Sequence, residues 1–475
     1  MRRIHFYMFA GGAAALSISL LVLAGCGGGG GPIQPPQNSP PPSNSASTAF
    51  LQLLPAAQKS ATTVGSQKCG TCHTSKLSGW VHTKHAAVNV GCENCHGPGS
   101  AHAAGPAATN ILGFPKAVSP VVCGQCHGPL MADYEASAHA APVPDPVESG
   151  SSRCLRCHSA EFRAQYIDEP LAHNQTPDQV NANILSLSSA TLQSFATTTG
   201  ETASCTNCHD PHEVTANIPS NGEQVQLRRL TFNLDPTPIA PGATLESYTL
   251  QTNQVCGTCH NGWGANPTDT VLQASTSRPP FHEGPQYSML LGVSGYEAAG
   301  GPPQRTSSHA GAPDQCTHCH MPNGSHTFTV NLDSSCAPCH SAADAAARES
   351  SVQSEIEGDL LALRSRMQLW AKQNLGNQDW WDYTTNLTTP PSASQEAAIP
   401  IQLKRARYNY YFIINDRSYG IHNVFYTRYL IEVANQQLDA INAPPAPAQK
   451  LSRREMVALL QDDYRRSRIG AHGQR

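Results

Sequence analysis

The chain has 475 residues, of which 39% are hydrophobic and 6% aromatic, against 37 glycines and 37 prolines, so it holds little apolar material for several large cores of its own. A formal charge of −4 provides no electrostatic footprint for nucleic acid and sets that class aside. Seventeen cysteines exclude an ordinary cytosolic enzyme with incidental thiols and point to disulfides, metal or cofactor in an exported protein.

In chain order, residues 1–25 begin with Arg2 and Arg3, run through a long apolar stretch and close on Leu23, Ala24 and Gly25 before Cys26. A basic start, an apolar middle and small residues before a cleavage point form a secretory signal. The box is similar to that of bacterial lipoproteins, a resemblance that implies lipidation of Cys26 and, with Gly27 behind it, delivery to the outer membrane. Residues 26–60 are read as a disordered tether. Its Gly, Pro, Ser and Asn cannot bury enough surface to offset their ordering entropy, and it reaches roughly 25 Å as a random coil.

One motif then recurs eight times as Cys-x-x-Cys-His: Cys69, Cys72 and His73; Cys92, Cys95 and His96; Cys123, Cys126 and His127; Cys154, Cys157 and His158; Cys205, Cys208 and His209; Cys256, Cys259 and His260; Cys316, Cys319 and His320; Cys336, Cys339 and His340. These use sixteen cysteines, and Cys26 is the seventeenth. Zinc knuckles do not demand a histidine after every pair, whereas covalent attachment of haem c does. Two thiols at that spacing reach the vinyl groups on one porphyrin edge, and the adjacent imidazole reaches the iron from below. The expected cofactor is eight haem c groups. Their apolar faces would supply the core that the polypeptide lacks. The fold class expected is therefore mainly α with extensive loops and almost no β: a haem-packed region of little regular structure over residues 61–343, then a helical C-terminal region over 344–475 that covers it.

Eight irons need eight ligands on their other faces. "CGTCHTSKLSGWVHTKHA" from Cys69 aligns with "CGQCHGPLMADYEASAHA" from Cys123, placing Trp80 on Tyr134, Thr83 on Ser137 and His85 on His139. His85 and His139 are thus equivalent candidates, with His82 the alternative to His85. Further candidates are His102, His212 and His326, each a few residues behind a proximal histidine and so unable to turn over its own ring, then His309, His282 and His422. His173 is the least well placed, and His318 sits inside its own Cys-x-x-Cys. Only five methionines follow Cys26, so bis-histidine ligation is expected throughout, with low-spin irons at lower potentials than Met/His sites.

Beyond Cys336 the texture becomes helical. Val352, Ile356, Leu360, Leu363, Met367 and Trp370 recur at spacings of three and four, one apolar stripe ended by Gly376. A second helical region spans roughly 398–416. The "GIHN" stretch at Gly420 places His422 where a turn opens another helix, and Ser452 with Glu455 forms a capping box for the last.

The elements Trp80 to Ala86, "CENCHGPG" at Cys92, "CHDPH" at Cys208, "CHMP" at Cys319 and "GIHN" at Gly420 resemble the multihaem cytochromes c related to cytochrome c nitrite reductase and hydroxylamine oxidoreductase, over about residues 66–442. The resemblance implies closely stacked haem pairs and an axial role for His422. The motifs are shared by carriers and enzymes, so they carry fold rather than activity. An iron with both axial positions filled has no place for substrate. The reading is therefore a non-catalytic electron-transfer protein at the bacterial envelope, an outer-membrane lipoprotein facing periplasm or exterior. Its partners are redox proteins and the membrane that holds its lipid anchor; assembly into oligomers or filaments is left open. The alternative is an oxidoreductase acting on nitrite, hydroxylamine or tetrathionate at one five-coordinate haem, the Cys154–His158 site being the candidate.

Overall fold

The computed structural model describes residues 47–113, 118–141, 152–196, 203–228, 254–262, 265, 267–274, 284–337, 339–383, 389–448 and 450–469. The signal, Cys26 and His282 lie outside them. The described residues are helical with many loops and contain no strand; one isolated bridge joins His209 and Leu227. No helix among them is long and apolar enough to cross a membrane.

The tether expected to reach residue 60 gives way earlier to structure. Ser47 caps the helix Thr48–Leu53 by accepting the Phe50 amide at 3.1 Å. Phe50 and Leu54 are buried against Leu112 and Val122. Two apolar side chains in this stretch bury enough surface, at about 1.5–3 kcal/mol each, to hold it onto the body.

Up to residue 340, helices are short, the longest of the described ones being the nine-residue Pro177–Leu185. The Cys-x-x-Cys-His motifs sit on single helical turns. The histidine amide reaches back to the carbonyl of the first cysteine at 2.9 Å in His73, 3.0 Å in His127 and 2.8 Å in His260. Such a turn brings residues three apart onto one face, so both thiols of a motif point the same way while the histidine follows at the turn's end. A satellite core of Leu155, Phe162, Ile167, Val180 and Ile184 surrounds the fourth motif.

The main core lies in the C-terminal region. The helix Ala342–Leu375 is capped by Ser341 and stopped by Gly376 at φ 87°, a left-handed conformation that glycine adopts without strain. Ile356, Leu360, Leu363 and Met367 of its apolar stripe are fully buried, with Val352 half-buried at one end. The helices Ile401–Asp416 and Val424–Asp439 pack against it, and Arg453–Ile469 closes the bundle behind the Ser452 to Glu455 cap. Two buried charged groups fix the packing. Asp382 accepts from Arg407 at 2.8 and 3.0 Å and from Tyr411 at 2.6 Å, and Asp463 accepts from Arg364 at 2.7 Å and Tyr410 at 2.5 Å.

Candidate haem centres

Six of the motif histidines face a second imidazole from elsewhere in the chain. The ring centroids are 6.1 Å apart for His73 and His102, 6.2 Å for His127 and His85, 6.0 Å for His96 and His212, 5.9 Å for His260 and His139, 6.3 Å for His209 and His326, and 6.2 Å for His320 and His422. Two imidazole nitrogens each about 2.0–2.1 Å from a metal, with a ring radius added on either side, put the centroids roughly 6 Å apart. The pairs therefore have the separation of ligands on opposite sides of one metal atom.

The second ring nitrogen is held in most of these residues. Nδ1–H donates to the carbonyl of Leu112 from His96 at 2.9 Å, of Ala107 from His102 at 3.1 Å, of Val225 from His209 at 2.8 Å, of Phe328 from His320 at 3.1 Å and of Gly324 from His326 at 2.9 Å. Gln286 Oε1 stands 3.3 Å from His260 Nδ1, and Asp416 Oδ1 lies 2.7 Å from His422 Nδ1. Fixing Nδ1 as the donor leaves Nε2 as the ligating nitrogen, the usual outer-shell arrangement of a metal-bound histidine. Burial also holds the rings neutral, as ligation requires: it lowers His85, His209, His260 and His320, and takes His96 and His139 down to about 4. In His422 burial acts in the same direction, but the Asp416 carboxylate outweighs it and holds the ring above its ordinary value.

The remaining candidates sit differently. His309 donates Nδ1–H to the Ile421 carbonyl at 2.8 Å, one residue from His422. His340 Nδ1 lies 3.3 Å from Asp344. The exposed His173 bonds back to its own helix at Glu169, 2.8 Å away. His82 is exposed, while Thr83 beside it caps the turn that carries His85 by accepting the Ala86 amide at 3.2 Å. His282 lies outside the described residues.

None of the sixteen motif cysteines forms a disulfide, and among the described residues no three or more of His, Cys, Asp and Glu converge as they would around a bare ion. A structural zinc takes four protein ligands, whereas these centres bring two imidazoles to one point and leave paired thiols beside them. That donor set fits an iron whose other four ligands come from a covalently attached macrocycle. The orienting groups are what sequence reasoning missed. Backbone acceptors leave no mark in a sequence, although Asp416, six residues ahead of His422, was readable as a carboxylate near a ligand.

Residues 61–271 match the family described as outer membrane cytochrome MtrC/MtrF-like, domains II/IV. No curated protein matches. Among solved structures, the chain is similar to the undecaheme cytochrome from the S-layer of Carboxydothermus ferrireducens, at 21% identity and TM-score 0.45 over 76% of this chain and 51% of that one. It is also similar to the outer cell wall cytochrome OcwA, at 19% identity and TM-score 0.45 over 74% and 70% of the two chains. Cytochrome c nitrite reductase from Desulfovibrio desulfuricans follows at 15% identity and TM-score 0.31, covering 67% of each. The chain thus spans about half the length of the first of these. Residues 61–271 hold six of the eight Cys-x-x-Cys-His motifs, and the match there supports a multihaem c-type cytochrome.

Proposed function

We propose that the protein is an octahaem electron carrier of the outer envelope, passing electrons between redox proteins and acceptors outside the cytoplasm. The observation that carries this reading is the set of six imidazole pairs at 5.9–6.3 Å. A haem held at such a pair supplies a one-electron iron couple. The chain's part would be to attach it through two cysteines, to offer an imidazole from either side so that no substrate displaces a ligand, and to hold most of those rings by Nδ1. The ligand set is His73, His96, His127, His158, His209, His260, His320 and His340 on one side, with His85, His102, His139, His212, His282, His309, His326 and His422 on the other. Cys26, lipidated, ties the molecule to the outer membrane. The family match to outer membrane cytochromes supports the location.

The test is spectroscopic. The oxidised holoprotein should give only low-spin bis-histidine signals in electron paramagnetic resonance and near-infrared magnetic circular dichroism. A stoichiometric high-spin signal would place an open iron in the molecule and favour the oxidoreductase reading.

A further inference from the structure

Phe328 touches three of the imidazole pairs at once. Its ring stands edge-on to His139, which faces His260 of the sixth motif, with the two planes at 88° and the centroids 4.5 Å apart. The same ring lies 5.9 Å from His326, which faces His209 of the fifth motif. Its backbone carbonyl accepts Nδ1–H of His320, the seventh motif's own histidine, at 3.1 Å.

The backbone at Phe328 has φ 56°, a left-handed conformation in which a bulky side chain is a genuine outlier. Such a conformation costs free energy and persists only where the surroundings over-determine it. Here they do. Asp133 Oδ2 belongs to the helix Gly128–Glu135, between the third motif and His139, and it accepts from Ser325 Oγ at 2.9 Å and from the His326 amide at 3.0 Å. Those bonds anchor the chain just ahead of Phe328. With the preceding residues held there, a return of φ to negative values would swing the carbonyl away from His320 and the ring away from His139 and His326.

We infer that Phe328 is a positioning residue for electron transfer: its ring sets the rotation of His139 and His326 while its carbonyl fixes His320, so one residue orients imidazoles of the fifth, sixth and seventh centres. The inference rests on the multihaem reading above. Rotation matters because the angle between two imidazoles on one metal governs how its d orbitals split, and so the anisotropy of a low-spin signal. His139 crosses His260 at 72°, whereas His326 crosses His209 at 29°. An edge-on aromatic contact favours one mutual orientation of the rings, which a side chain that only fills space does not.

The test is electron paramagnetic resonance of the oxidised holoprotein beside variants at position 328. Phe328→Gly removes the ring, and glycine adopts a positive φ without strain, so the carbonyl stays on His320. Its covalent haem content by mass spectrometry should equal the parent's, with the g values of two low-spin signals shifted and the rest unchanged. Those two are the signals that His139→Ala and His326→Ala each convert to high-spin. Phe328→Tyr keeps the ring and should give the parent spectrum; a shift equal to that of the glycine variant would count against the ring. Should the glycine variant lose haem, Phe328→Leu, which keeps the bulk without the flat ring, should shift the same two signals. Parent g values in a ringless variant that retains its haem, or a shift spread over all signals, would overturn the inference. Loss of haem in both ringless variants would make Phe328 a residue of the fold alone and overturn it as well. A parent with fewer than eight haems, or with a high-spin signal, contradicts the octahaem reading alone, because the comparison of parent and variant still decides Phe328.

Discussion

Asp416 Oδ1 lies 2.7 Å from Nδ1 of His422 while the same imidazole faces His320 across 6.2 Å, so one carboxylate of the C-terminal helices orients a ring aimed at the seventh motif. Asp416 ends the helix Ile401–Asp416, and His422 lies in the turn before Val424–Asp439. The His422 amide is held as well, donating to Ser418 Oγ at 3.1 Å. This turn is where the helical bundle meets the half that carries the Cys-x-x-Cys-His motifs.

His422→Ala should convert one haem to a high-spin or water-ligated form and raise its potential, and should loosen residues 344–442 to proteolysis, with covalent haem content unchanged. Limited proteolysis beside electron paramagnetic resonance checks both effects. An unchanged low-spin spectrum would mean that His422 is packing only.

Asp416→Asn separates ligation from tuning. A carboxylate accepting Nδ1–H makes the imidazole a stronger donor to a metal, and the neutral amide weakens that effect. The variant should keep its low-spin spectrum while the midpoint potential of one haem moves upward in a spectroelectrochemical titration. Unchanged potentials would reduce Asp416 to a structural cap.

The duplicated stretch behind the first and third motifs distinguishes His85 from His82. Because the His85 ring faces His127 at 6.2 Å and His82 is exposed, His85→Ala should generate one high-spin haem and His82→Ala none. Paired visible spectra of the two variants settle the choice, and the reverse pattern would exchange their roles.

These residues also show what was legible in the sequence. The eight Cys-x-x-Cys-His motifs stand out in the sequence by their regular spacing, and the stripe from Val352 to Trp370 announced the long helix because helical period and burial coincide there. The internal repeat singled out His85 and His139. Which histidine faces which motif could not be read: His212 lies opposite His96 and His326 opposite His209, pairings made by long-range packing that leave no local pattern. The early end of the tether was hidden for a different reason, because Phe50 and Leu54 lie in a stretch whose average composition is that of a linker.

Asp210 provides a pH test away from the bundle. Burial pushes its carboxyl up, but hydrogen bonds from His212 and the Arg228 guanidinium outweigh this and hold it well below the usual carboxylate range. Arg228 Nη1 lies 3.2 Å from it and 2.6 Å from Asp168. A carboxylate with a depressed native pKa adds stability above its ordinary value, and that stability is lost as pH falls toward the native value. Asp210→Asn should therefore be less stable than the parent at pH 7, with the difference shrinking as pH drops below about 4. Hydrogen exchange of residues 203–228 across pH reads this; a gap that widens on acidification would contradict the assignment.

In the C-terminal core, Asp382→Ala leaves the Arg407 guanidinium buried without its carboxylate. Breaking such a pair costs about 3–5 kcal/mol, and Leu360→Ala about 2–5 kcal/mol through the cavity it opens. Both should speed hydrogen exchange in the Ile401–Asp416 helix while leaving the haem spectrum intact.

The central claim, eight covalently held haems each between two histidines, is tested most directly by combining intact-mass spectrometry with low-temperature electron paramagnetic resonance on one oxidised sample. The account expects a mass increase of eight haems over the mature polypeptide and low-spin signals integrating to eight irons. Fewer than eight haems, or a high-spin signal integrating to one iron or more, would contradict it.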